Sequence, residues 1–187
     1  MTTKWFAGAL VVATLICASR PSVAQDQGKT AAAELAGDSK TALQQLMASV
    51  PLAKALMPSA HAILVFPKVT KAGLGIGGQY GEGALLKKGS AVAYYKTTGA
   101  SFGLQAGGQQ YGYAMVFMNE KALAQLDSAN GFEVGVGPSV VMVDEGMAKT
   151  TTSTTMKDDI YAFVFGQKGL MAGLGLQGNK IAKITPR

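Results

Sequence analysis

Residues 71–88 read KAGLGIGGQYGEGALLKK, and this glycine-rich stretch decides between two quite different folds. Gly73, Gly75 and Gly78 stand at the G-x-G-x-x-G spacing of loops that bind a dinucleotide phosphate. Such a loop needs a helix directly after it, because the phosphate binds at the helix N-terminus. The following residues, 79–95, carry hairpin punctuation and no helical period, so we expect no phosphate loop here.

The alternative for this stretch is a β-strand with one bare face. Alternate residues of a strand point to opposite faces, so Gly73, Gly75 and Gly77 share one face while Leu74 and Ile76 share the other. Glycines inside a strand mark sharp bends or the close approach of another element. We therefore expect strand curvature and tight packing, with the N-terminal helices lying on the glycine face; a ligand groove is the second interpretation.

Short β-rich runs continue to the C-terminus, separated by Gly, Lys-Gly or Asn-Gly. Many short strands at regular spacing predict an antiparallel sheet that closes toward a barrel or sandwich. Residues 87–90 read as a hairpin turn, and residues 119–126 as a helix capped by Asn119. Residues 147–159 fit either an edge strand or a loop. The glycine-rich pattern itself recurs as GLQAGGQQYG at 103–112 and as GLGLQG at 173–178.

The segment before the strands is helical by its periodicity. Apolar or small residues follow a three-four spacing from Lys29 to Val50, which predicts an amphipathic helix that Gly37-Asp38 could divide. Pro51 can start a second short helix, which Pro58 stops. The predicted fold is α+β: a glycine-rich antiparallel, barrel-like core with N-terminal amphipathic helices.

The first 24 residues have the pattern of a secretory signal. Lys4 precedes an apolar run, and Ser22-Val23-Ala24 supplies small residues for cleavage after Ala24. An uncleaved anchor is the alternative, and Cys17 is a weak lipoprotein signal because Ile16 before it is not small. We expect an exported protein, periplasmic or at the cell surface, with a helical segment at 25–58 and a β-rich core at 59–187 forming one domain.

The residue inventory leaves little room for catalysis. After cleavage the chain would keep its one histidine, His61, and lose its one cysteine, which excludes Cys nucleophiles and multi-His metal sites. A Ser/His hydrolase would have to use His61, which we interpret instead as a capping or partly buried residue. Carboxylates are few, and the adjacent pairs Asp144-Glu145 and Asp158-Asp159 would point to opposite faces of a strand. We expect no enzyme, no metal and no cofactor.

Lysines are the more informative charged residues. The formal charge is +6, and removal of Lys4 and Arg20 with the signal would leave +4, too little and too dispersed for a nucleic-acid binder. Lysines at predicted strand ends and turns could line one rim and attract anionic headgroups. These are Lys68, Lys71, Lys87, Lys88, Lys149, Lys157, Lys168, Lys180 and Lys183.

From about Met57 onward the chain resembles the SYLF domain family. The resemblance is carried by Phe66-Pro67 after the first strand, the Gly-Gly-x-x-Gly-x-Gly of residues 77–83, Gly137-Pro138, and the late glycine-rich strand at 169–178. It implies binding of phosphoinositides and other anionic phospholipids, and in some eukaryotic members binding of actin. The Trp-Ser-x-Pro of eukaryotic members is missing here, and an exported protein would meet neither actin nor cytosolic phosphoinositides.

We therefore expect a non-enzymatic protein that binds anionic phospholipid headgroups, phosphoinositide-like by resemblance, at a bacterial envelope membrane. The predicted contacts are lysines that bracket the glycine strands, together with one on the second helix: Lys68, Lys71, Lys87, Lys88 and Lys54. The alternative is an envelope structural or interaction protein that binds a protein partner through the glycine-rich face.

Overall fold

Two long antiparallel strands form the centre of the sheet: β1 (Ala62–Lys87) and β2 (Ser90–Phe117). The computed structural model describes residues 23–127, 132–134, 140–143, 158–169 and 179–187. Lys88 and Gly89 join the two strands with φ values of 49° and 77°, the conformation of a two-residue hairpin turn. The predicted hairpin is confirmed, and β1 continues as strand where a phosphate loop would need a helix.

The expectation of many short strands is wrong for this part of the chain. Glycine curves the strands and does not end them, since ladder pairing runs from Ala62–Phe117 to Lys87–Ser90 with three register shifts. The shifts lie between Phe66 and Val69, Leu74 and Ile76, and Leu85 and Leu86. Bulges of this kind bend a strand while leaving its pairing in place on both sides.

Four shorter strands complete the described sheet: β3 (Phe132–Val134), β4 (Val140–Val143), β5 (Ile160–Gly169) and β6 (Asn179–Ile184). The order is β3-β6-β2-β5-β4, with β1 also paired to β2, and the pairs are antiparallel except for the parallel β4–β5 pair. The α+β class and the largely antiparallel sheet are confirmed. The described strands form an open sheet, so the predicted barrel closure is not observed among them.

The N-terminal helices are α1 (Val23–Ser49) and α2 (Pro51–Leu56), the latter followed by a 3₁₀ turn at Met57–Ser59. Gly37-Asp38 does not divide α1. Pro51 occupies the first turn of α2, as predicted, where its missing N–H costs nothing. Among the described residues, no helix has both the length and the hydropathy required to cross a bilayer.

A third helix, α3 (Glu120–Ala124), leads into a 3₁₀ turn at Gln125–Asp127. The Asn119 side chain accepts a hydrogen bond from the Ala122 backbone N–H at 2.8 Å, so the predicted cap is confirmed. Predictions for residues 1–22, which include Cys17 and most of the proposed signal, lie outside the described residues, as does most of the 147–159 segment.

The central hairpin folds back on itself at residues 73–78, which makes two arms out of each long strand. A Cβ on Gly81 would lie 2.8 Å from the Lys68 carbonyl oxygen, and one on Gly83 would lie 2.7 Å from Phe66 Cδ1. The close approach at Gly81 and Gly83 is thus made by the first arm of β1. Only glycine lets these two backbones approach so closely. At Gly73 the nearest atoms belong to Ile76 and Gly77, so the helix expected there does not lie on this glycine.

The folded sheet has a core on each face. An inner core joins side chains of both arms with α3, and a helix-side core packs α1 and α2 on the outer face of the first arm and hairpin end. The inner core contains Leu64, Phe66, Leu85, Tyr95, Tyr113, Met115, Phe117 and Ile181, and the helix-side core contains Leu46, Val50, Leu56, Val65, Ala84, Leu86, Val116 and Phe163. Alternate residues of one strand therefore supply different cores.

Candidate functional site

The outer face of β1 loses its helix cover toward the bend and becomes exposed. We call this exposed region, residues 68–80 of β1 with the paired residues of β2, β5 and β6, the tip face. Its large apolar side chains are Leu74, 83% exposed, Ile76, 69% exposed, and Tyr80, 50% exposed. Exposed aliphatic residues adjacent along one strand face are costly in water unless another surface covers them.

Lysines stand on the same face at both sides of this apolar tip. Lys168 of β5 pairs with Gln110 of β2, and Gln110 pairs in turn with Thr70 of β1. In the same way, Lys180 of β6 pairs with Thr98 of β2, which pairs with Tyr80 of β1. Directly opposed residues of a sheet share a face, so both lysines lie on the face that carries Leu74 and Ile76. Both are exposed. The tip face therefore combines apolar side chains at its end with cations on each arm.

The structure separates the five lysines predicted as headgroup contacts. Lys68 is exposed on the tip face, whereas Lys71 points to the opposite face and is 3% exposed. Lys87 and Lys88 lie at the hairpin turn, past the bend from Lys68, and Lys54 is exposed on α2. Because a buried side chain cannot meet a headgroup at the surface, Lys71 leaves the predicted set.

Lys71 belongs to a polar end of the inner core, close to the bend. The Tyr111 hydroxyl donates to Gln79 Oε1 at 3.0 Å, and burial raises the pKa of Tyr111 to about 12. The Gln79 and Asn179 side chains are also buried here. The inner core is thus apolar through most of its length and becomes polar beneath the tip face. Lys71 lies inside because alternate residues of β1 point to opposite faces and Lys68 and Thr70 take the exposed one.

His61, the residue that a Ser/His hydrolase would need, lies beside the N-terminal end of β1. Its side chain is exposed, not partly buried, and its backbone N–H donates to the Phe117 carbonyl at 2.8 Å just before β1 begins. In the part of the chain that the structure describes, no three His, Cys, Asp or Glu side chains come together as metal ligands would. The described side chains offer surface properties, exposed apolar area and charge, more than reactive groups.

The sequence analysis did not predict two features of the tip face, the exposure of Leu74 and Ile76 and the position of Lys168 and Lys180 beside them. The alternation of Leu74 and Ile76 with glycine was visible, yet nothing in the sequence alone told whether that face was core or surface. Lys168 and Lys180 were among the lysines noted at strand ends, but their place beside the tip depends on pairing across two strands. The sequence signal for an exposed face was the segment 72–78, which follows two lysines, Lys68 and Lys71, and has only Leu74 and Ile76 as large apolar residues.

Comparison with known proteins identifies a family over the second half of the chain. Residues 98–185 match the family model Ysc84, described as "Las17-binding protein actin regulator". Comparison with curated proteins found no match. The matched segment holds most of β2 and the four shorter strands β3 to β6, while the whole of β1 precedes it. The resemblance seen in the sequence is confirmed over this segment, since residues 98–185 match the Ysc84, or SYLF, family.

Proposed function

We propose that this protein is a non-enzymatic lipid-binding protein of a bacterial envelope, which binds anionic phospholipid surfaces peripherally through the tip face. The observation that carries the proposal is the exposure of Leu74 and Ile76 between the lysines of the two arms. The family match over residues 98–185 supports a binding role in general terms. Export, with removal of residues 1–24, would bring the domain to such a membrane.

The two kinds of side chain would make different contributions at a membrane. Each lysine near an anionic surface contributes about 1 kcal/mol, and full burial of a Leu or Ile side chain contributes about 1.5–3 kcal/mol. Lys68, Lys168 and Lys180 with two inserted apolar residues would therefore supply several kcal/mol. Because about 8 kcal/mol corresponds to micromolar affinity, a sum of this size gives reversible rather than permanent attachment.

The test is cosedimentation with neutral and anionic liposomes at low and high salt. We expect binding to anionic vesicles alone, weakened as salt screens the lysines. The double variant Leu74→Ser/Ile76→Ser should lower the vesicle-bound fraction at every salt concentration, because it removes the apolar contribution and no charge. Val92→Ser is the matched control, since Val92 is also apolar and 54% exposed but lies near the hairpin turn.

Equal losses in the two variants would show that apolar exposure in general, and not the tip, governs binding. Absence of binding to any vesicle would refute the proposal outright. The protein-partner alternative would then stand, and one feature favours it: a Cβ on Gly78 or Gly108 would have no atom closer than 3.8 Å, so exposed backbone is accessible there. That alternative expects salt-tolerant binding to a protein.

A further inference from the structure

A concave region lies away from the tip face, between the start of α1 and residues 183–187. It is a groove of about 710 Å³. Its walls come from Gly28, Lys29 and Ala32 of α1, Ala93 and Tyr94 of β2, and residues 183–187. Pockets that hold small ligands usually measure about 300–1,000 Å³, so the groove is large enough for one small molecule.

Small side chains and close packing shape this groove. A Cβ on Gly28 would come within 3.3 Å of the Pro186 carbonyl oxygen, so α1 meets the C-terminal segment closely at this point. Ala93 packs against the inner core and Tyr94 against the helix-side core, so the β2 residues that line the groove contact both cores. Its floor is thus formed by well-packed strand residues, and its lining is chiefly apolar.

The charged residues of the lining are all cations. Lys29, Lys183 and Arg187 line the groove, and no Asp or Glu side chain does so among the described residues. Lys183 has one weak partner, Asp127, at 3.8 Å, and both side chains are largely exposed. The Asp127 carboxylate also accepts a hydrogen bond from the buried Tyr95 hydroxyl at 3.0 Å, which holds this acid outside the groove lining.

We infer that the groove binds a single-chain anionic amphiphile of the free fatty acid class, with its alkyl chain along the apolar floor and its carboxylate at the cations. An apolar lining favours an alkyl chain, and three cations, of which only Lys183 has an acidic partner among the described residues, favour a negative headgroup. One chain matches the volume better than a phospholipid with two acyl chains and a glycerol. This site is separate from the tip face and does not require membrane binding.

The experiment is calorimetric titration of the detergent-free protein with decanoate below its micelle-forming concentration. The protein is used in the form that the expressing cell leaves, with its N-terminus established by intact mass. We expect saturable binding of one decanoate per chain. Ala32→Trp should weaken it by about tenfold or more by filling the groove, whereas Ala33→Trp, one residue further on an exposed face of α1, should leave it unchanged.

A second pair of variants tests the headgroup and does not depend on the tryptophan variant folding. Lys29→Gln/Arg187→Gln should weaken decanoate by roughly fivefold for each cation removed, and should leave the binding of n-decanol unchanged. Lys40→Gln/Lys121→Gln, with two exposed lysines outside the groove, is the matched control. Leu74→Ser/Ile76→Ser should bind decanoate like the parent protein, which separates this site from the proposed membrane face.

Three results would overturn the assignment. The first is the absence of saturable decanoate binding, and the second is equal weakening by the groove variants and their controls. The third is a concentration-dependent dimer that Ala32→Trp disrupts, because the groove would then belong to a second copy of the chain. Failure of liposome binding with intact decanoate binding would refute the membrane proposal and leave the groove assignment standing.

Discussion

Ser39 is a polar residue in the buried stripe of α1, and its hydroxyl connects the two arms of β1. It donates to the Val65 carbonyl and accepts from the Ala84 N–H, each at 3.2 Å. Val65 and Ala84 belong to different arms of β1. The Ser39 side chain therefore gives a hydrogen-bond partner to one buried backbone group of each arm.

Ser39→Ala should lower the free energy of unfolding by about 1–3 kcal/mol, because it leaves a buried carbonyl and a buried N–H without their partner. Urea unfolding measures the change. Ser49→Ala is the control, since Ser49 is exposed and its hydroxyl bonds only to carbonyls of its own helix. We expect a change within about 0.5 kcal/mol for the control. Similar unfolding midpoints for both variants would contradict the role assigned to Ser39.

At the scale of elements, β1 combines continuous pairing with a sharp reversal. Bulges and glycines allow it to bend at residues 73–78 while remaining hydrogen bonded to β2. After the bend, Gly81 and Gly83 lie against Lys68 and Val65 of the first arm. The glycines of this strand thus serve two purposes, curvature at the bend and close approach beyond it.

Gly83→Ala should destabilise the protein by about 1–3 kcal/mol or more, because the new methyl group would overlap the Val65 carbonyl and the Phe66 ring. Gly78→Ala is the matched control in the same strand, since its nearest neighbour, the Gly99 carbonyl oxygen, would be 3.8 Å from the added Cβ. Thermal unfolding of both variants gives the comparison. A larger loss for Gly78→Ala would place the essential contact at the bend instead.

Local chemistry explains which elements could be predicted from the sequence. The two helices, the Asn119 cap and the Lys88-Gly89 turn depend on neighbouring residues, and their signals are direct. The continuity of β1 depends on partners across the sheet, so its glycines looked like strand ends. Likewise, Lys68 and Lys71 look equivalent in the sequence. The folded hairpin decides which of them is exposed, and local sequence does not show that.

At the scale of the whole molecule, six of the described lysines, all exposed except the half-buried Lys87, fall into two separated sets. Lys68, Lys168 and Lys180 surround the apolar tip, whereas Lys54, Lys87 and Lys88 lie on α2 and at the hairpin turn. Both sets are candidates for headgroup contact, and only the first accompanies exposed Leu74 and Ile76. Their separation means that one flat membrane surface would favour one set over the other.

Charge reversal distinguishes the two sets, because reversing either set changes the net charge by the same amount. Replacing all three tip lysines with Glu should reduce affinity for anionic vesicles at low salt by about a hundredfold or more, because each lysine contributes about 1 kcal/mol near an anionic surface. Reversing Lys54, Lys87 and Lys88 changes the formal charge equally and should leave most of the binding. Cosedimentation at low and high salt measures both variants.

Equal losses would mean that binding follows the net charge and not a particular face, since long-range attraction does not depend on where the lysines lie. A loss confined to the Lys54, Lys87 and Lys88 variant would move the membrane contact to the hairpin end, although the exposed apolar residues lie elsewhere. Retained binding of that variant, together with loss in the tip variant, would mean that charge and apolar exposure act on one face, as membrane insertion at the tip requires.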